Sequence, residues 1–436
     1  MNDLRSQMHR VGDAVDPLPV DDDLWQRGVA ARRRGQVLVV AAVLAIVVSV
    51  AGTATLVGGD DREARTASGE VVEGGAIPRS IVDPGDLDPE GDLAVGRASA
   101  AFISQSSEPV VITAVDGVPH ELDLAGWVTN SQDPDEVRVN QSLALSPDGA
   151  RLAWQGADDE DGRATVGVLD LVTGDTSTYR PLPPIAGLRL REMSWSSDSS
   201  WLAWICDDSP EVWVGRLRPG PEPDSQAQQL FGNIQDVAVD ANGTLVFSRA
   251  SGGFERIYGT GDVVPLASKR ELGGVGFGIG RFSPDGRQIA LRSSLSPASY
   301  TYDIDAEELL EHPFPAGTFE DGFVVPQGWL DDRLQLLLVQ ESSNPDVAEL
   351  VVTTPAVDAT STWRRSVGVV EVGPAATLSL AVDLVPDLDG TSSQELTYDF
   401  PPPPERDISW IIGLGVAAAI AVLLALRWLW RRLTGM

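Results

Sequence analysis

Two long uncharged apolar runs bracket a chain in which short apolar stretches alternate with polar turns. The runs cover residues 37–57 and 408–426. At about 1.5 Å rise per residue, about 20 apolar residues suffice to cross a hydrocarbon core, so each run predicts a transmembrane helix, over 36–58 and 408–426. A cleaved signal peptide would have a shorter apolar region and a shorter segment ahead of it. Arg32, Arg33 and Arg34 precede the first run, and Arg427, Arg431 and Arg432 follow the second, with Trp410, Trp428 and Trp430 at its ends. Arginine clusters stay cytosolic and tryptophan favours the headgroup boundary. The pattern predicts a two-pass plasma-membrane protein in contact with the lipid bilayer, both termini cytosolic and the segment between the helices outside.

Within that segment one pattern recurs. LALSPDGARLAW (143–154) matches MSWSSDSSWLAW (193–204), and GRFSPDGRQIAL (280–291) is a third copy. VAVDANGTLVF (237–247) is one residue shorter and WLDDRLQLLLV (329–339) is decayed. Each copy reads as a hairpin: Pro presets φ at the second turn position, Asp bonds its own backbone and Gly accepts positive φ. The apolar residues that follow suit a buried strand, and further strands such as ATVGVLDL (164–171) give about four per copy. Four-stranded units at a period of about 45 residues predict an all-β fold, a β-propeller. GRASAAFI (96–103) adds a first blade without the turn, which makes six blades, with seven as the alternative, and residues 377–385 supply a strand that closes the ring.

The Ser-Pro-Asp-Gly-x-x-Ile/Leu-Ala motif, followed by a Val-x-Asp-Leu-x-x-Gly strand and turn, resembles the WD40-like repeat of TolB-type propellers, in a membrane-anchored form typical of high-GC bacteria. Residues 143–182 and 280–314 carry the resemblance best. It implies a scaffold, a sensor or a noncatalytic substrate gate. No match to the hydrolase domain of the peptidase members accompanies it. The domain reading is a cytosolic head (1–35), helix (36–58), flexible linker (59–92), propeller (93–385), Pro-rich return linker (386–407), helix (408–426) and cytosolic tail (427–436).

Composition agrees with a turn-rich β architecture, with 43 Gly and 30 Pro. The head balances its six Arg against six Asp and the tail carries three Arg, so the outer segment holds a formal charge of −35, against −32 for the whole chain. Such a surface repels nucleic acid. Cys206 is the single cysteine, which excludes an intramolecular disulfide and suits a small buried residue.

Candidate chemistry is sparse. His9, His120 and His312 lack zinc-ligand spacing; His120 is expected at a surface or strand edge and His312 in a loop. The glycines of 273–280 lack the basic residue of a phosphate loop, and 158–162 reads as a solvated hairpin tip rather than a calcium site. No catalytic residue, metal or cofactor is expected, and the chain is not expected to be an enzyme. Trp154 and Trp204 align with Leu291, and Trp195 with Phe282, so these are expected in the core. Trp201 aligns with Arg151 and Gln288 and is expected at the surface, the one candidate for a glycan- or peptide-binding face.

In the head, Leu4, Met8, Val11 and Val15 have helical spacing, and Asp21, Asp22 and Asp23 cap a second short helix whose Leu24 and Trp25 are candidate contacts for a cytosolic partner. The head loosely resembles the cytosolic segments of regulators that restrain extracytoplasmic-function sigma factors, without their His and Cys zinc ligands. The sequence therefore points to a noncatalytic, membrane-tethered propeller that binds an envelope protein or glycan, senses or scaffolds. A transmembrane regulator of a sigma factor is the alternative, and an envelope hydrolase the third reading.

Overall fold

In the computed structural model, residues 74–401 are described apart from 128–141, 158, 162–163, 181–188, 209–210, 260, 275, 294–297, 315–321, 332–333, 354–363, 373–376 and 388–393, together with 423, 424, 426, 427 and 430. After a short strand β1 (Ser80–Val82), the chain builds antiparallel sheets one after another. The first holds β2 (Ala98–Ile103), β3 (Pro109–Thr113) and β4 (Pro119–Glu121). The second holds β5 (Leu143–Leu145), β6 (Arg151–Gly156), β7 (Thr165–Asp170) and β8 (Thr176–Tyr179). The third holds β9 (Arg189–Trp195), β10 (Leu202–Asp208), β11 (Glu211–Arg218) and β12 (Asp224–Phe231).

The fourth sheet is β13 (Ile234–Val239), β14 (Leu245–Arg249), β15 (Gly253–Ile257) and β16 (Val263–Ala267). The fifth is β17 (Gly278–Phe282), β18 (Gln288–Arg292), β19 (Ala298–Asp303) and β20 (Glu308–Pro313). The sixth is β21 (Gly322–Trp329), β22 (Gln335–Glu341), β23 (Ala348–Thr353) and β24 (Arg364–Glu371). Last comes β25 (Ser379–Leu380), which pairs with β2 and becomes the innermost strand of the first sheet. Leading strands of neighbouring sheets touch around a common axis. The architecture is a six-bladed β-propeller, closed by its C-terminal strand as expected and with no seventh sheet among the described residues.

Burial follows from the ring. Inner strands are covered on both faces by neighbouring blades, so β2 and β5 are buried along their whole length rather than alternating. Outer strands such as β8 are exposed. At the repeated turn, Asp148 accepts the Ser146 hydroxyl at 2.5 Å and the Ala150 amide at 3.0 Å, and Gly149 takes φ 70°. The same network recurs at Ser196 with Asp198 and at Ser283 with Asp285. In the third blade Ser199 occupies the glycine place at φ 59°, and its hydroxyl accepts the Asp148 amide at 3.1 Å from the blade before.

Tryptophans tie blades together. Trp195 Nε1 donates to Ala144 O and Trp329 Nε1 to Arg281 O, both at 3.0 Å, each bond crossing to the preceding blade. Trp154 and Trp204, each 1% exposed, lie over Gly167 and Gly215 on the adjoining strands, where a Cβ would fall within 2.4 Å of the ring. Cys206 is buried.

Three expectations need correction or placing. The segment read as linker, 59–92, contributes β1, which runs parallel to β24 and makes the last blade five-stranded. Its neighbour Pro78 bridges Tyr398, with Arg79 N to Tyr398 O and Tyr398 N to Ile77 O both at 2.9 Å. Arg79 also pairs with Glu395 and Asp399. Residues 76 and 400 both meet the β3–β4 turn, through Ala76 N to Ala114 O at 2.8 Å and the Phe400 ring beside Gly117. His312 lies in β20, not in a loop, and is buried, because the outer strand of the fifth blade extends through it. Among the described residues no helix is long and apolar enough to cross a membrane. The run 37–57 and nearly all of 408–426 lie outside those residues, while Leu423, Leu424, Leu426, Arg427 and Trp430 are helical and exposed.

Candidate functional site: the central channel

An ideal antiparallel strand sends alternate side chains to opposite faces, and the inner strands of this ring break that rule at one level. In β9 the pairing jumps from Glu192–Ile205 to Leu190–Cys206, leaving Arg191 as the inserted residue. In β13 it jumps across Gln235 and Asp236, in β17 across Gly280 and Arg281, and in β21 across Gln327. A bulge adds a residue to one strand, bends it and re-aims a side chain. Four consecutive blades thus carry bulges at their innermost strands, and polar or charged residues sit at each.

Three of these strands, β9, β17 and β21, line a cavity of about 280 Å³ with Arg191, Glu192, Arg281 and Gln327, and Arg292, Ser142, Ser194, Thr377 and Ser379 are among the rest. Arg281 reaches across the axis. From the fifth blade its Nη1 lies 3.5 Å from Trp195 O in the third blade and its Nη2 3.3 Å from Ser379 Oγ in the first. Burial brings its pKa down to about 10, against the pull of Asp383 and Glu192, so it stays charged at neutral pH. Arg191 donates to Ile234 O and Gln235 O of the next blade.

Arg292, at the end of β18, links two carboxylates from neighbouring blades. Its Nη1 is 3.0 Å from Asp236 Oδ1 and its Nη2 3.7 Å from Glu192 Oε1. Asp236 is 4% exposed and its other oxygen accepts the Ser248 hydroxyl at 2.8 Å. Gly278 makes room for it, since a Cβ there would stand 2.9 Å from Asp236 Oδ2. Burial and the nearby Asp236 carboxylate push Glu192 up to about 8, although Arg292, Arg191 and Arg281 pull it down. Enclosure and a like charge both favour the neutral acid, and enclosure is the larger here. Near the repeated turns, Asp383 is raised by burial and by Asp148 and Asp198, with Arg281 opposing.

Trp201 does not form a surface. It is 7% exposed and packs with Ile205, Val214, Val239 and Leu245, while the guanidinium of Arg216 lies 4.9 Å from its ring and that of Arg218 5.8 Å. The alignment misled because its polar column is a seam between blades. Arg151, in the same column, stacks on Trp195 of the next blade at 5.0 Å and bonds Ser199 O. Trp201 reaches the next blade in the same way, against Gly243.

Among the other expected residues, His120 sits on the edge strand β4 with Nδ1 2.7 Å from Glu90 Oε1. Burial drives the His312 imidazole down to about 4. Among the described residues no group of three or more metal-ligating side chains gathers. Leu24, Trp25, Arg32, Arg33, Arg34, Arg431 and Arg432 lie outside the described residues.

No protein-family model matches the chain, and no curated protein does. Among solved structures the chain is similar to TolB from Acinetobacter baumannii, at 17% identity and TM-score 0.41 over 67% of this chain and 68% of that one. A protein from Lactobacillus plantarum shares 13% identity at TM-score 0.40, covering 62% and 82% of the two chains. A chain of a nidogen/laminin complex shares 10% at 0.38, covering 65% and 99%. At these values the propeller assignment rests on the sheets and their closure.

Proposed function

We propose that this protein is a membrane-tethered, noncatalytic β-propeller whose central channel is its binding site at the cell envelope. One observation carries the reading: three inner strands, β9, β17 and β21, give up regular pairing to place Arg191, Arg281 and Gln327 around one cavity, and the bulge of a fourth, β13, sets Asp236 against the lining Arg292. Asp236 is engaged by Arg292 and the Ser248 hydroxyl, and Glu192 faces the same Arg292, an arrangement suited to holding a partner group. Tethering is supported by the two uncharged runs with arginines on the same side, and by chain segments 76–78 and 398–400 that lie together at one corner of the ring.

Native mass spectrometry of the full chain extracted from its own cells should show a bound mass, released chemically unchanged. Release of an altered compound would overturn the noncatalytic reading. For the tether, Gly220 lies between β11 and β12 in an exposed turn. Alkaline phosphatase inserted there should be active in cells and a fusion after Met436 inactive; the opposite pattern would overturn the topology.

A further inference from the structure

The cavity is cationic inside a strongly acidic protein. Three guanidinium groups line it against a single lining carboxylate, Glu192, while the chain as a whole carries −32. Asp236 is spent on Arg292 and Ser248. Arg281 lies on the axis with no carboxylate within 4 Å among the described residues, its fork meeting only a carbonyl and a hydroxyl at 3.3 to 3.5 Å. A planar guanidinium buried in a cavity, with long and partial hydrogen bonds, is preorganised for a bidentate oxyanion.

Resting on the channel as the binding site, we propose that the cavity receives the oxyanion of a small ligand, a carboxylate or a phosphate, with Arg281 as the fork beneath it and Arg292 and Arg191 beside it. A volume of about 280 Å³ fits a metabolite-sized molecule or the end of a longer one. Four charged groups face Glu192: Arg191 on its own strand, Asp236 on β13, Arg281 on β17 and Arg292 on β18. A proton held by Glu192 near neutrality keeps the cavity positive, so anion binding weakens as pH rises through about 8.

The test is NMR titration of the full chain in lipid nanodiscs at low salt, with inorganic phosphate, acetate and neutral acetamide as probes. Phosphate or acetate should bind, with the stronger of the two identifying the ligand class, and acetamide should not. Arg281→Gln should weaken anion binding by about tenfold or more, the loss of a charge-assisted pair. If that variant melts early, Arg281→Lys decides: it keeps a point charge without the planar fork, and binding should fall several-fold in a folded protein. The proposal is overturned if neither anion binds, if both variants bind as the parent does, or if the affinity for acetate, whose own charge is constant in this range, rises as pH passes about 8. Acetamide bound in an Arg281-dependent way would overturn the oxyanion while leaving the channel as the binding site.

Discussion

Trp204→Ala should lower the unfolding free energy by about 3 to 5 kcal/mol, and Trp201→Ala should cost nearly as much, about 3 kcal/mol. The first leaves a cavity over Gly215, whose missing Cβ shows how closely the ring is fitted. Neighbours cannot collapse into that space, because β10 is paired on both sides. The second strips the cover from Ile205, Val214, Val239 and Leu245 at the seam with the fourth blade. It also leaves the Arg216 guanidinium, 6% exposed as a residue, without the ring it stacks on. Thermal and denaturant unfolding of both variants measures this. A Trp201→Ala protein within about 0.5 kcal/mol of the parent would mean the ring is a surface group after all.

Loss of the closing strand should have the larger effect. A chain ending at residue 373 lacks β25, so the inner edge of β2 keeps Ala100 and Ala101 unpaired. It also forfeits Ala381 N to Ser99 O at 3.0 Å, Leu145 N to Ser379 Oγ at 3.1 Å and Ile103 N to Thr377 Oγ1 at 3.2 Å. An open ring exposes a strand edge together with the apolar faces of two blades. Cooperative unfolding should vanish from circular dichroism, with aggregation in its place. A chain ending at 385 keeps β25 but loses the bridge of Pro78 with Tyr398, the ion pairs of Arg79 with Glu395 and Asp399, the buried Leu396 and the Phe400 ring at Gly117, so it should fold with reduced stability. Parent-like stability in the shorter chain would refute closure by this strand.

What the sequence disclosed and what it concealed divide along the range of the interactions. The turns at Ser146, Ser196 and Ser283 are local: a hydroxyl, a carboxylate and a positive φ within five residues. They were legible, and with them the six blades and the closing segment 377–385. The channel is not local. Glu192, Asp236 and Arg292 meet only because the ring brings three blades to one axis, and bulges place them off the strand alternation. A trace was nevertheless present. Glu192 and Asp236 stand at equivalent places four residues before their turns, where Ile279 and Pro326 stand in other blades. A carboxylate on the inner strand of a closed ring is costly to bury unless a group across the axis answers it. Trp201 was misread for a related reason, since a seam position is polar in one copy and filled in another, while β1 hid in a segment of 59–92 whose pairing partner, β24, lies far along the chain in the sixth sheet.

The arrangement of the closing strand also sets a timetable for the growing chain. Synthesis delivers the first blade's outer three strands early and their innermost partner almost last, after five complete sheets have formed. Throughout that interval the edge of β2 is an unoccupied template for wrong pairing. The segment that seals the other side of the same corner, at Tyr398, arrives later still, just ahead of the second apolar run. Closure of the ring therefore waits on the segment that follows the sixth blade. A pause late in translation should leave a nearly complete but unsealed ring, sensitive to protease at the first blade rather than at the last one made.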